Sequence, residues 1–180
     1  MSRYEYLTDE VRKLQPEHVV EIGTWSGHRA AIFMGVSNCY YTGFDLFEEA
    51  SKETDEQEFN VKKHCEIAEV GGNLYVRGFS KFALYRGNTN KTLAEVDVPP
   101  FDFCFIDGGH SADTITNDFE WAFENISDGG VIILDDYYIP AIEGMGCNHI
   151  TEKLGDKCEL VGPTDRVRMG CRVSLVRVKK

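Results

Sequence analysis

The sequence predicts an α/β protein with a Rossmann-like, seven-stranded, mostly parallel sheet whose last strand is antiparallel. Short apolar runs alternate with stretches of helical periodicity, which is typical of a parallel sheet covered by helices on both faces. The run at 131–134 is apolar without interruption, as expected for a strand buried on both faces. No repeat, low-complexity tract or linker interrupts the 180 residues. We therefore expect a single domain over 1–180, built as a three-layer α/β/α sandwich.

Composition excludes several classes of protein. Hydrophobic residues make up 42% of the chain, which is enough for a core, and no apolar run is long enough for a membrane span. The net charge of −11 argues against a general nucleic-acid binder, because phosphate attracts basic surfaces. The N-terminus lacks a signal-peptide pattern, and the six cysteines form no Cys-x-x-Cys pair. We expect a cytoplasmic protein with reduced thiols that binds neither nucleic acid nor membrane.

In the first half of the chain, apolar runs predict three strands, at His18–Ile22, Tyr40–Asp45 and Phe82–Arg86. A helix over 26–36 is expected between the first two. The polar stretch 48–79 is predicted to be helical, with a break at Gly71-Gly72.

The second half begins with a short helix near 91–96 and a strand at 101–107. Apolar residues recur at helical spacing over 111–126, where Ser111 is the expected N-cap. After the strand at 131–134 we expect a helix at 147–154 and strands at 158–161 and 171–178, with 163–170 as the loop of a closing antiparallel hairpin.

The end of the first strand carries a glycine motif. Ligands of such sheets bind beyond the carboxyl ends of the strands, so residues there matter most for function. Glu21-x-Gly23-x-x-x-Gly27 follows the strand and opens a helix, where glycine lets the backbone approach a ligand. The nicotinamide fingerprint Gly-x-Gly-x-x-Gly fails, because Trp25 and His28 stand at its later glycine positions. An NAD-dependent enzyme is therefore the least favoured class.

The second and third strands also end in polar residues. Asp45 lies about 20 residues after the glycine motif, a spacing that suits hydrogen bonds to ribose hydroxyls, although a turn or helix-cap role stays open. Gly87-Asn88 follows the third strand. The Asn88 amide can bond an adenine edge, but a plain turn fits nearly as well.

An acidic cluster is predicted at the fourth and fifth strand ends. Adjacent parallel strands would bring Asp107 and Asp135-Asp136 together, and three neighbouring carboxylates repel each other unless a cation lies between them. An all-oxygen ligand set favours Mg²⁺, with Mn²⁺ or Ca²⁺ as alternatives. His110 follows Asp107 by three residues and has the acidity expected of a general base, while a structural histidine at the helix entry is the alternative.

These motifs resemble class I S-adenosylmethionine-dependent methyltransferases over about residues 16–140. The Glu21-to-Gly27 spacing is similar to the first motif of that class, and the run 106–111 resembles the Methyltransf_24-type family, whose members carry Asp-x-x-His. The acidic cluster is similar to that of metal-dependent O-methyltransferases of the catechol and macrolide-sugar types.

The resemblance implies in-line transfer of a methyl group from S-adenosylmethionine to a hydroxyl of a small molecule, sugar-like or catechol-like. Asp107, Asp135 and Asp136 would hold Mg²⁺ or another divalent cation, and His110, beside Asp107, would take the proton. The residues expected at the cofactor are Glu21, Gly23, Thr24, Trp25, Ser26, Gly27, Asp45, Gly87, Asn88 and Asp107.

Three alternatives stay open: a metal-independent O- or N-methyltransferase, a cephalosporin-hydroxylase-like protein, and a cofactor-binding module without turnover. A homodimer is also compatible with the sequence. Substrate specificity is expected to lie in 46–80 and 137–150.

Overall fold

The computed structural model describes residues 1–60, 62–168 and 170–180. Its strands form one seven-stranded sheet in the order β3-β2-β1-β4-β5-β7-β6. Strands β1 to β5 run parallel, whereas β7 runs antiparallel to both of its neighbours, β5 and β6. The predicted Rossmann-like fold is confirmed. The strands are β1 His18–Ile22, β2 Tyr40–Asp45, β3 Phe82–Arg86, β4 Phe101–Ile106, β5 Ile126–Ile139, β6 Cys158–Arg168 and β7 Cys171–Lys179.

Helices precede the sheet and connect its strands. The first of them was not expected from the sequence; it begins with a capping box in which Ser2 and Glu5 bond each other's backbone. Ser111 caps the sixth helix by accepting from the Thr114 backbone nitrogen, as predicted. The helices are α1 Arg3–Leu14, α2 His28–Ser37, α3 Lys52–Gln57, α4 Ile67–Val76, α5 Thr89–Glu95, α6 Ala112–Asn125 and α7 Asn148–Leu154.

The core lies on both faces of the sheet because side chains alternate along each strand. Phe103 and Phe105 of β4 pack on the face covered by α1, α2 and α4. Cys104 and Ile106 pack on the other face, with residues of α5, α6 and α7. This arrangement produces the three expected layers and leaves the strand ends to form the site.

One helix prediction was wrong. The stretch 48–79 contains α3, which ends at Gln57, and α4, which begins at Ile67 and continues through Gly71-Gly72. Each glycine costs a helix about 1 kcal/mol. Val70 and Leu74 are nevertheless buried against the core, and that burial keeps α4 continuous through both glycines.

The predicted hairpin loop at 163–170 was also largely wrong. Strand β6 continues to Arg168, with a shift of register between Val161 and Arg166. Because β6 is the edge strand, Pro163 is tolerated there. The predicted loop also includes Met169, which lies outside the described residues.

None of the helices in the described ranges combines the length and apolarity that a membrane span requires.

Candidate active site

The ends of β1, β4 and β5 lie side by side. Ile22 pairs with Ile106, and Ile106 pairs with Leu134, so the next residue of each strand reaches the same edge. Gly23 follows β1 with φ +98°, and a Cβ atom there would lie 2.2 Å from the Asp107 carbonyl oxygen. Only glycine allows the two strand ends to approach this closely.

A cavity opens beyond this edge. Six of the ten residues predicted at the cofactor line it, and so does His110. The other four (Glu21, Thr24, Ser26 and Gly27) are not among the lining residues, and Glu21 and Thr24 are buried. The six that line the cavity are Gly23, Trp25, Asp45, Gly87, Asn88 and Asp107.

Glu21 belongs to a buried polar chain behind the cavity. Its carboxylate accepts a hydrogen bond from the Tyr41 hydroxyl, which also lies 3.1 Å from Thr24 Oγ1. Burial raises the pKa of Glu21 to about 8, and the Tyr41 hydrogen bond and the nearby charge of Arg29 oppose that rise. The chain thus fixes the backbone that carries Gly23.

Asp45 joins two loops at the cavity. Its Oδ2 accepts from the Trp25 backbone nitrogen at 2.7 Å, and its Oδ1 accepts from the Phe47 nitrogen at 2.9 Å. Each carboxylate oxygen has a second lone pair that can accept from a ligand. Asn88 caps α5 by accepting from the Asn90 nitrogen through Oδ1, which leaves its amide Nδ2 as a donor.

Residues 51–60 and 62–64, here called the covering segment, line one side of the cavity. None of the residues of α3, which forms its first part, is buried. Thr54, Glu58 and Lys62 are among the lining residues, and the location of substrate specificity in 46–80 stays a prediction. The Trp25 indole nitrogen donates to the Lys63 carbonyl oxygen at 2.8 Å and so connects the glycine motif to the segment.

Glu58 attaches the covering segment to the start of α6. Its Oε2 accepts from the backbone nitrogens of His110 and Ser111, both at 2.9 Å. Its Oε1 accepts from Ser111 Oγ at 3.0 Å and from Thr114 Oγ1 at 2.6 Å. A Cβ atom on Gly109 would lie 2.5 Å from Oε2, so the missing side chain makes room for the carboxylate. A carboxylate at a helix N-terminus is stabilising. Because the partners of Glu58 lie more than 50 residues away in sequence, no local motif predicts this contact.

His110 is oriented from both sides and is only 6% exposed. Its Nδ1 lies 2.7 Å from the Glu58 carbonyl oxygen, which can only accept, so Nδ1 carries a hydrogen. The other ring nitrogen, Nε2, lies 3.3 Å from Asp136 Oδ2. Nε2 is therefore the atom that can exchange a proton.

Asp135 and Asp136 lie in an irregular part of β5. Its pairing with β7 shifts between Leu134 and Tyr137, and Asp136 has a left-handed φ of 60°. Both aspartates are buried. Burial, helped by the charge of Asp107, raises the pKa of Asp135 to about 6. Burial and the charge of Asp136 likewise raise the pKa of Asp107.

Helix α1 places two side chains on this acidic cluster. Arg3 is 1% exposed and forms an ion pair with Asp135 through Nη1. The Tyr4 hydroxyl lies 2.9 Å from Asp135 Oδ2 and 3.1 Å from Asp107 Oδ2. The Arg29 guanidinium lies 3.8 Å from the centre of the Tyr4 ring. The Ser2-x-x-Glu5 capping box could have revealed the helix, but nothing local indicates that Arg3 reaches a residue 132 positions away.

The predicted divalent cation does not fit this arrangement. Within the described ranges, no group of three His, Cys, Asp or Glu side chains is placed to hold a metal ion. The Asp135 carboxylate already contacts a guanidinium, and Asp136 faces His110. Asp107 and Asp135 both lie at the Tyr4 hydroxyl, and the cation beside Asp135 is Arg3 of the chain itself.

A family model described as a methyltransferase domain matches residues 20–137. That range contains the strand ends that line the cavity. No curated protein matches the chain significantly in sequence.

Solved structures with the same fold include several methyltransferases. The O-methyltransferase TomG of Streptomyces achromogenes, in complex with SAM, is 17% identical with a TM-score of 0.71, over 96% of this chain and 77% of that one. An O-methyltransferase of Bacillus cereus, in complex with SAH, is 17% identical with a TM-score of 0.67, over 100% and 82%. An rRNA methylase of Streptococcus thermophilus is 14% identical with a TM-score of 0.67, over 100% and 97%.

Proposed function

Because the chain belongs to the methyltransferase-domain family and is therefore an S-adenosylmethionine-dependent methyltransferase, we propose that it methylates a hydroxyl oxygen of a small molecule. The observation that carries the proposal is the cavity at the strand ends. It is lined by Asp45 and Asn88, which suit a nucleoside, and also by His110 and Asp107. Such a cavity suits a reaction in which the protein orients two reactants.

We assign the cofactor to the side of the cavity formed by the ends of β1, β2 and β3. The remaining lone pairs of Asp45 suit the ribose hydroxyls, and the Asn88 amide suits the adenine edge. Gly23 would let the backbone pass the methionine part. Asp107 is the acid on the lining that can meet the cofactor's ammonium group, whereas Glu21 would act from behind the wall.

We assign proton removal to His110. Its Nδ1 hydrogen is directed to the Glu58 carbonyl oxygen, which leaves Nε2 to accept the substrate proton while the Asp136 carboxylate stabilises the imidazolium. This step involves no divalent cation, because Arg3 already pairs with Asp135 of the acidic cluster.

A small molecule fits the charge of this chain better than RNA does. Both O-methyltransferases and an rRNA methylase share the fold, so the fold does not choose between them. The net charge of −11 opposes binding to a polyanion. The cytoplasmic location and the homodimer stay predictions.

Isothermal calorimetry with S-adenosylmethionine, S-adenosylhomocysteine and NAD tests the assignment. We expect binding of the first two and none of NAD. Asp45→Asn should weaken S-adenosylhomocysteine binding about tenfold or more, because a hydrogen bond to a charged group contributes about 1.5–3 kcal/mol. The exposed Asp97→Ala variant is the control and should bind like the wild type. Wild-type protein that binds neither sulfur ligand would contradict the proposal.

A second variant separates binding from chemistry. His110→Gln should keep the affinity for S-adenosylhomocysteine, since the proton-accepting Nε2 faces Asp136. It should lower kcat on any hydroxyl substrate by roughly 10²-fold or more. An unchanged kcat would remove His110 from the role of base.

A further inference from the structure

A positively charged side chain of the protein, Arg3, lies against the acidic cluster beside the cavity. Asp107, Asp135 and Asp136 bring three carboxyl groups to one edge, and two of them are nearly inaccessible to water. Buried carboxylates require a counter-charge or hydrogen-bond donors to stay ionised. The guanidinium of Arg3 meets that requirement at Asp135.

The position of Arg3 is fixed by the packing of α1. The Ser2 and Glu5 capping box fixes the first turn of α1, and Leu7 anchors the helix with no exposed surface. The Arg3 side chain is as buried as its partner, so solvent does not screen the pair as it would at the surface.

Tyr4 extends the contact to the second strand end. Its hydroxyl lies within hydrogen-bonding distance of both Asp107 and Asp135, and its ring lies against the Arg3 and Arg29 guanidinium groups. Arg3 thus forms an ion pair with Asp135, and the Tyr4 hydroxyl bridges Asp135 and Asp107.

We propose that Arg3 is the resident counter-cation of the acidic cluster and positions Asp135 and Asp107, so that the cluster works without a divalent metal ion. The proposal rests on the proposed function only in that the cluster borders the cofactor cavity. Arg3 is a positioning residue, since it acts through the two aspartates.

Cation binding to the chain without cofactor or substrate tests the proposal. The probes are Mn²⁺, followed by the electron paramagnetic resonance signal of the free ion, and Mg²⁺, followed by thermal unfolding at matched ionic strength. Wild-type protein should leave the Mn²⁺ signal unchanged and show no shift of Tm with Mg²⁺. Arg3→Ala should lose several degrees of Tm, recover part of the loss in Mg²⁺, and bind Mn²⁺.

Two matched variants separate charge from packing. Arg3→Lys keeps the charge and should not respond to either ion. Arg3→Ala combined with Asp135→Asn removes both members of the ion pair and should be more stable than Arg3→Ala in the absence of metal. This comparison decides the matter even if Arg3→Ala folds poorly. A double variant no more stable than the single one would overturn the proposal.

Stoichiometric binding of Mn²⁺ by the wild type that is lost in Asp135→Asn would also overturn it, because a metal ion would then displace Arg3. Calorimetry with S-adenosylhomocysteine on the same metal-free samples keeps the proposed function separate. If the wild type fails to bind S-adenosylhomocysteine, the proposed function is contradicted. The role of Arg3 is tested by the cation-binding data alone.

Discussion

Buried acids in this protein differ in what surrounds them. The Glu21 carboxylate accepts from Tyr41, and the Asp135 carboxylate pairs with Arg3. Asp118, on α6, is completely buried, and its Oδ1 accepts from Asn117 at 3.2 Å. Burial raises the pKa of Asp118 to about 7, and hydrogen bonds from Thr89 and Asn117 oppose that rise.

This pKa makes Asp118 a source of pH-dependent stability. Between the pKa of the unfolded chain, about 3.9, and the folded value, the folded state binds the extra proton, so the free energy of unfolding falls as pH rises. Asp118→Asn removes this pH dependence. Between pH 4 and pH 8, the free energy of unfolding of the variant should rise relative to that of the wild type by up to a few kcal/mol, since one pKa unit corresponds to about 1.4 kcal/mol.

Urea unfolding at several pH values measures the difference. Glu124→Gln, an exposed acid on the same helix, should follow the wild type at each pH and serves as the control. A difference between Asp118→Asn and wild type that does not vary with pH would show that Asp118 is ionised in the folded protein.

At the scale of elements, the sequence predicted the central strands well and the additions to them poorly. Strands β1 to β4 are short, mostly apolar segments separated by helices, a pattern typical of a parallel sheet, and their ends place Asp45 and Asp107 without further information. Helix α1 and the covering segment have polar sequences, and they reach the site through long-range contacts of a few side chains, chiefly Arg3 and Glu58. Such contacts leave no periodic pattern to detect.

The covering segment should open when its attachment through Glu58 is weakened. Glu58→Gln removes the negative charge at the N-terminus of α6 and places an amide group against donors that the carboxylate now satisfies. Because hydrogen bonds to a charged group contribute about 1.5–3 kcal/mol, amide hydrogen exchange in α3 should accelerate about tenfold or more. Exchange measured by mass spectrometry tests this expectation.

Glu56→Gln is the matched control, since the Glu56 side chain forms an exposed ion pair with Lys52. It should leave exchange in the segment nearly unchanged. If both variants exchange equally, the contacts of Glu58 do not hold the segment on the cavity.

Over the whole molecule, α1 connects the N-terminal part of the chain with both the C-terminal strands and the acidic cluster. It packs on α2 and on β6, and Glu10 lies 3.5 Å from Arg177 of β7. Leu7 and Val11 belong to the same core cluster as Phe105 of β4. The cavity itself is formed by the middle of the chain, so the stability of the acidic cluster depends on elements distant from it in sequence.

This packing predicts that α1 unfolds with the sheet and not as a separate unit. Its buried side chains and its ion pair to β5 would all be lost on detachment, whereas α3 buries no residue and can open locally. Native-state hydrogen exchange in increasing urea should give α1 the same steep urea dependence as β4, and α3 almost none. Leu7→Ala should lower the protection of α1 and β4 together, by about 2–5 kcal/mol, while the more exposed Leu14→Ala should change neither. Exchange of α1 that is independent of urea would instead make it a detachable helix, and the counter-charge of Asp135 would then leave the cluster without global unfolding.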